Sequence, residues 1–251
     1  MVKKMAYLGP RGTFCEQAAW DYIGNEEWEL VPLPSIDAVF SAVYSEEVQA
    51  GTVPIENSCE GAVNQTLHLL TCENHLYLSG EITVPVRHNL LIRPGVSPGH
   101  ITHILSHYQA LAQCREYLSV HFPHAELLDV SSTSEAARRV AESAQPWAAV
   151  ATNRAALTYG LKMYARNIQD QESNETRFVV LSKEQGLCAG RCKTSILLYL
   201  NDRPGALFEA LREFYSRNIN LTKIESRPAR TRLGDYLFFI DLEGSVQDTP
   251  I

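Results

Sequence analysis

No stretch of this chain is both long and apolar enough to span a bilayer as a helix. Near the N-terminus two lysines, Lys3 and Lys4, precede an apolar stretch that stops at Leu8, too short for a signal-peptide core. Export is therefore not expected, and the expected location is cytoplasmic. Positive charge is also scarce. Lys and Arg number 22 against 29 Asp and Glu, a formal charge of −7. Without clustered cations a nucleic-acid partner is not expected, because phosphate neutralisation needs them. A small anion held by local donors remains open. The six cysteines, at 15, 59, 72, 114, 188 and 192, are scattered. Only Cys188 and Cys192 are close, and no further Cys or His pair completes a zinc site, so free thiols and no metal are expected. The Rossmann glycine spacing and the P-loop Gly-Lys-Ser/Thr are both missing. No nucleophilic triad is evident, since Ser106 and His107 are sequence neighbours, an awkward geometry for mutual activation.

What is present is a chain of 251 residues with 45% hydrophobic content, enough for two packed domains. Met5–Leu8 reads as a strand, Gly9-Pro10-Arg11-Gly12 as a turn, and Thr13-x-x-Glu16 as a helix-capping box. Strand Leu30–Leu33, a helix capped by Ser35 and strand Ala50–Ile55 follow, the last ending at Glu56-Asn57. A second α/β segment runs through strands 82–86, 89–92 and 101–105, a helix from 111 to 122, and strand 127–130. It closes with a Ser132-capped helix and strand 148–151. The alternation predicts mostly parallel α/β sheets. From Thr194 the pattern becomes strand 195–200, a helix capped by Asp202 with the stripe Leu207, Leu211 and Phe214, and strands 218–226 and 235–243 joined by a turn at Gly234.

Five segments stand out: Tyr7–Phe14; Val53-Pro54-Ile55-Glu56-Asn57-Ser58; Ser106-His107-Tyr108-Gln109 with Gln113; Asn174-Glu175-Thr176-Arg177-Phe178; and Arg203-Pro204-Gly205-Ala206-Leu207 with Glu225-Ser226-Arg227-Pro228. In order and spacing the first four resemble the catalytic region of prephenate dehydratases, and the fifth resembles their regulatory ACT module. The resemblance implies a two-lobed α/β catalytic domain, similar to type II periplasmic binding proteins, over residues 1–183. Lobe 1 would take 1–82 and 162–183, and lobe 2 would take 83–161. A linker at 184–193 and a ferredoxin-like ACT domain at 194–251 would follow. That module is β-α-β-β-α-β in the family, so the β-α-β-β read here is expected to be a truncated form.

The implied reaction is the decarboxylative dehydration of prephenate to phenylpyruvate in phenylalanine biosynthesis, with no cofactor. By resemblance Thr176 is the donor to the leaving hydroxyl, Asn57, Ser106 and Gln113 surround the substrate, and Glu56 assists positioning. Gly12, Thr13, Ser58, His107, Arg177 and Phe178 are further substrate-binding candidates. From the residues alone, Gly9–Thr13 is either an anion site at a helix start or simply a capped helix. Glu56-Asn57-Ser58 is either a ligand site at a strand end or a turn. Phe178 suits a core anchor as well as a pocket wall, and Arg177 suits a carboxylate clamp or a brace. Gly205, Ala206, Leu207, Glu225, Ser226, Arg227 and Pro228 match the family's phenylalanine site, formed where modules pair in a homodimer or homotetramer. The competing reading is a module that only mediates dimer contacts. Arogenate dehydration and a non-catalytic two-lobed anion sensor are the alternative functions.

Overall fold

A computed structural model describes residues 2–72, 75–186, 190–229 and 236–247. The chain divides into two compact units, Met1–Gln185 and Gly186–Ile251.

The first unit contains two sheets. The first begins with parallel strands β1 (Lys3–Leu8), β2 (Trp28–Leu33) and β3 (Ala50–Asn57), joined through helices α1 (Phe14–Ile23) and α2 (Ile36–Tyr44). The expected caps form: Thr13 Oγ1 accepts from Glu16 N–H and Ser35 Oγ from Ala38 N–H. A two-residue strand, β4 (Gly61–Ala62), pairs with the end of β3 and leads into α3 (Asn64–Cys72). The chain then runs through β5 (Tyr77–Pro85), crosses to the second sheet, and later returns as β11 (Glu175–Ser182). β11 lies antiparallel between β3 and β5, giving the order β2-β1-β3-β11-β5.

The second sheet takes β6 (Asn89–Ile92), β7 (His103–Ser106), β8 (Glu126–Asp129), β9 (Trp147–Ala151) and β10 (Lys162–Ala165), in the order β10-β6-β9-β7-β8. Its faces carry separate cores. Leu90, Ile104 and Val150 enter one and their neighbours Leu91, Leu105 and Ala149 the other, as strand alternation requires. Covering it are α4 (Tyr108–Gln113), α5 (Arg115–His121), α6 (Thr133–Glu142, capped by Ser132) and α7 (Asn153–Tyr159).

Three expectations shift. The first sheet keeps its strand to Pro85 rather than 82, and the return does not begin at 162, because Lys162–Ala165 pairs with β6 in the second sheet. The crossings are residues 86–88 and 166–174. The sheets are mixed rather than mostly parallel, because the strands beside the crossings run antiparallel. The helix expected at 111–122 is two helices broken at Cys114, whose backbone is not helical. There the second crossing intervenes: Asp170 N–H donates to the Gln113 carbonyl at 2.7 Å, and the Asp170 carboxylate accepts from Glu116 N–H.

The second unit is one antiparallel sheet of β12 (Lys193–Leu200), β13 (Leu221–Pro228) and β14 (Tyr236–Glu243), with β14 central, and one helix, α8 (Ala206–Ser216). The described residues thus give β-α-β-β. The helix cap is Gly205 with φ of 85°, not Asp202. A residue with a Cβ is strained in that left-handed conformation, which is why glycine starts this helix. The turn expected at Gly234 lies outside the described residues. Cys15, Cys59, Cys72 and Cys114 are free thiols, but Cys192 is disulfide-bonded, which corrects the expectation for that residue, and Cys188 lies outside the described residues. Among the described residues no helix is long and apolar enough to cross a membrane.

Candidate active site

The antiparallel pairing of β3 and β11 sets Thr176 opposite Asn57 and Arg177 opposite Glu56. A register shift then places Phe178 opposite Pro54. Phe178 is buried with Met5, Tyr7 and Val84, which supports the core-anchor reading of this side chain.

The orientation of each amide around Thr176 follows from main-chain anchors. Asn57 Oδ1 accepts the backbone N–H groups of Cys59 and Glu60 at 2.9 and 3.0 Å, so it must be the carbonyl oxygen. Asn57 Nδ2 therefore donates, to Thr176 Oγ1 and to Asn174 Oδ1, both at 2.8 Å. Asn174 Nδ2 in turn donates to Gln113 Oε1 at 3.1 Å, and His88 Nε2 reaches the same oxygen at 2.9 Å. Because Gln113 Oε1 is the acceptor, the His88 nitrogen facing it carries the proton. Burial pulls the His88 pKa below its ordinary value, outweighing its bond to Gln113, so the ring is neutral near pH 7. The Thr176 oxygen thus receives a hydrogen bond from Asn57, which leaves its own proton for another acceptor.

Ser58 fastens the two chain segments at this point: its hydroxyl accepts from Glu175 N–H at 2.9 Å, and its N–H donates to the Glu175 carbonyl. Arg177 bridges carboxylates, lying 3.2 Å from Glu81 and 3.5 Å from Glu56. Those contacts brace the β3–β11–β5 ladder and support the brace reading over the clamp. Ser106 is set apart. It is fully buried, and its hydroxyl donates to the Val150 carbonyl at 2.6 Å within the second sheet. His107 is the N-cap residue of α4, its side chain makes no capping hydrogen bond, and its ring lies 4.6 Å from that of Tyr108.

At Gly9–Thr13 the anion-site reading gives way to an internal arrangement. Gly12 N–H donates to the Glu16 carboxylate at 2.6 Å, so the chain's own anion occupies that position. Arg154 lies 3.6 Å from the same carboxylate. Burial, and next the Glu16 charge, push the Tyr7 pKa upward. The same loop docks on the second lobe. The Gly12 carbonyl accepts from Thr152 Oγ1 at 2.6 Å, and the Arg11 carbonyl accepts from Tyr159 OH at 3.3 Å and from Ser134 Oγ. A Cβ on Gly12 would meet Ser134 Oγ at 2.8 Å and Ala155 Cα at 2.9 Å, and its φ of +85° also selects glycine.

A cavity of about 430 Å³ opens between the lobes beside the first crossing, with Arg87, Arg154 and Arg166 among its lining residues. Asn57, Gln113 and Thr176 do not line it. A more open groove of about 550 Å³ at Val2, Lys3 and Trp28 lies away from both. No group of three or more His, Cys, Asp and Glu among the described residues is arranged to hold a metal. In the second unit Gly205 starts α8, Ala206 and Leu207 form its first turn, and Glu225–Pro228 end β13.

Sequence reasoning missed His88 and gave Asn174 no role, although Asn174 opens the segment that carries Thr176. Its position, two residues before Thr176 at the loop end, was an available signal. Nothing in the periodicity around Val86–Asn89 marks His88.

The sequence profile described as "Prephenate dehydratase" matches residues 5–186, and that described as "ACT domain" matches residues 194–250. A bifunctional chorismate mutase/prephenate dehydratase of Stutzerimonas stutzeri is 42% identical over 245 residues, 98% of this chain and 66% of that one. The chain thus spans about two thirds of the length of such bifunctional relatives. A prephenate dehydratase of Lactococcus lactis subsp. lactis is 44% identical over 244 residues, covering 95% of this chain and 86% of that one. Among solved structures, a prephenate dehydratase of Arthrobacter aurescens in complex with L-Phe superposes with a TM-score of 0.89 at 36% identity, covering 98% of this chain and 82% of that one. With a profile matching well over half its length and relatives of this identity, the chain belongs to the prephenate dehydratase family.

Proposed function

We propose that this chain converts prephenate to phenylpyruvate, water and carbon dioxide. The observation that carries the reading is the fixed polarity of the Asn57–Thr176 hydrogen bond. In the reaction the bond from the ring to its carboxylate breaks and carbon dioxide leaves. The freed electron pair makes the ring aromatic and expels the ring hydroxyl, which takes up a proton and departs as water. Aromatisation supplies the driving force, so the protein's task is to orient the substrate and to stabilise hydroxide as it forms. Thr176 suits that task because Asn57 donates to its oxygen, turning the Thr176 proton outward and making it a better donor. A positioned donor of this kind contributes about 10²–10³-fold in rate. Gln113, whose carbonyl is held by two donors, offers its amide hydrogens to a substrate oxygen.

Family membership and the L-Phe complex of the Arthrobacter relative support feedback inhibition by phenylalanine at the second unit, through Gly205–Leu207 and Glu225–Pro228. The half-exposed Leu197 and Tyr199 on that unit's sheet support pairing with another copy, in a homodimer or homotetramer. We place the protein in the cytoplasm. The test is ultraviolet detection of phenylpyruvate after adding prephenate to the purified chain, with arogenate in parallel. Turnover of prephenate is expected. Turnover of arogenate alone would move the substrate assignment, and turnover of neither would overturn it.

A further inference from the structure

His88 sits where the two crossings meet. Its N–H donates to Gln169 Oε1 at 3.0 Å, and its carbonyl accepts from Ile168 N–H at 2.8 Å. The ring edge packs against Phe14, centroid to centroid 5.9 Å at 77°. The side chain is buried, and its Nδ1 has no hydrogen-bond partner among the described residues. An orphaned buried nitrogen is costly, and an apolar residue of similar volume would avoid that cost. The ring's other nitrogen therefore calls for a role, and its one polar contact is Gln113 Oε1.

We propose that His88 is a positioning residue for the reaction: its Nε2–H, with the Asn174 amide, holds the Gln113 carbonyl and so directs the Gln113 amide nitrogen to the substrate. The inference rests on the proposed dehydratase reading. A primary amide rotates about its terminal bond between two arrangements nearly equal in shape. Two donors on the oxygen select one of them. With His88 absent, only Asn174 makes the selection, and Asn174 is itself oriented by Asn57. His88 thus closes the far end of a line of hydrogen bonds that begins at Thr176, running from the first lobe through the second crossing to the end of α4. Gln113 Nε2 has no protein partner among the described residues and is not sealed from solvent, so it is free to serve a ligand.

The test uses the full chain and four variants. His88→Leu is expected to lower kcat about 10-fold or more, with a smaller change in KM, the effect expected of a mis-set hydrogen-bond donor. His88→Gln places an amide N–H near the lost Nε2–H and is expected to restore most of the rate. In a Gln113→Ala background, adding His88→Leu is expected to cost less than about twofold more, because coupled residues are non-additive. Additive losses, or a His88→Gln rate as low as that of His88→Leu at equal melting temperature, would overturn the proposal. Should His88→Leu fail to fold, ¹⁵N NMR of the histidine rings decides it. The His88 signal is expected from a neutral ring protonated on Nε2 at pH 7, shifting in Gln113→Ala. A ring protonated on Nδ1, or charged, would sink the idea. That readout needs no turnover, so a chain inactive on prephenate would refute the functional reading while the ring signal still judges His88.

Discussion

In Met1–Gln185 the second sheet has a buried core on each face, and neighbouring residues such as Leu90 and Leu91 enter different cores. Gly186–Ile251 has a sheet of three strands and one helix, and among the described residues only Ile240, Asp241 and Leu242 are buried. The contrast follows from size and layering: a small unit of two layers cannot shield both faces of its sheet. It also explains the division of labour. Orienting a line of amides to tenths of an ångström needs side chains locked by dense packing on several sides. A module that exposes Leu197 at 43% and Tyr199 at 50% is suited instead to responding to what covers it.

The largest effect expected separates chemistry from stability inside the well-packed unit. Thr176→Ala should lower kcat about 100-fold or more while leaving both units as stable as before, since the lost group is one hydroxyl at a strand start. Thr176→Ser should keep part of the rate. Circular dichroism melts beside the kinetic assay check this, and a large drop in melting temperature would show that the residue serves packing.

Next in size is a change confined to stability. Gly12→Ala places a Cβ 2.8 Å from Ser134 Oγ at a φ of +85°, and should destabilise the first unit by about 1–3 kcal/mol. Hydrogen exchange resolved by segment should show faster opening in residues 2–186 and no change in 193–243. Equal loosening of both would show that the units are not independent.

Acid sharpens the same comparison. The folded His88 pKa lies below its ordinary 6.5. As pH falls through 6.5 the unfolded chain takes up a proton that the folded chain refuses, so this contribution is fully present above 6.5 and is lost progressively below it. Gly186–Ile251 contains no histidine and should not share this response. Urea melts of the chain and of His88→Leu between pH 7 and pH 5 check it, because the variant should lose this part of the slope.

The smallest effect is at the surface. Arg138, with burial opposing and Arg139 assisting, holds the Glu135 carboxyl down to about 2. Its contribution is present above the ordinary 4.5 and is lost as pH falls through about 2. Both arginines are exposed and screened, so Glu135→Gln should cost less than about 1 kcal/mol at pH 7, measured by thermal melts.

Much of this was legible where local chemistry decides the outcome. Thr13, Ser35 and Ser132 mark helix starts by their hydroxyls, and Ala50–Ile55 reads as a strand because it is apolar on both faces. The Asn57–Thr176 pairing was accessible only through family resemblance, since 119 residues separate the two and no local rule joins them. The break at Cys114 was hidden because its cause, Asp170, arrives from a distant segment. Helix α3 buries only Thr66 and Leu67, too little apolar periodicity to notice. Helix α7 did leave signals, a capping Thr152 and a left-handed Gly160, that pattern reading passed over. Ser106 shows the converse: its motif was recognised, yet its hydroxyl serves the sheet.

The docking of the loop at Gly12 has one more consequence. On the first lobe the hydrogen bonds to the second use the main-chain carbonyls of Arg11 and Gly12, and on the other side they use the hydroxyls of Ser134, Thr152 and Tyr159. A carbonyl is the same whatever side chain its residue bears. Side-chain drift at Arg11 therefore leaves this junction chemically unchanged, whereas loss of any of the three hydroxyls removes a donor outright. These three hydrogen bonds are thus under one-sided genetic control: substitutions at Ser134 in α6, at Tyr159 in α7 or at Thr152 just before α7 remove them one at a time, while the loop can alter them only by changing its backbone path.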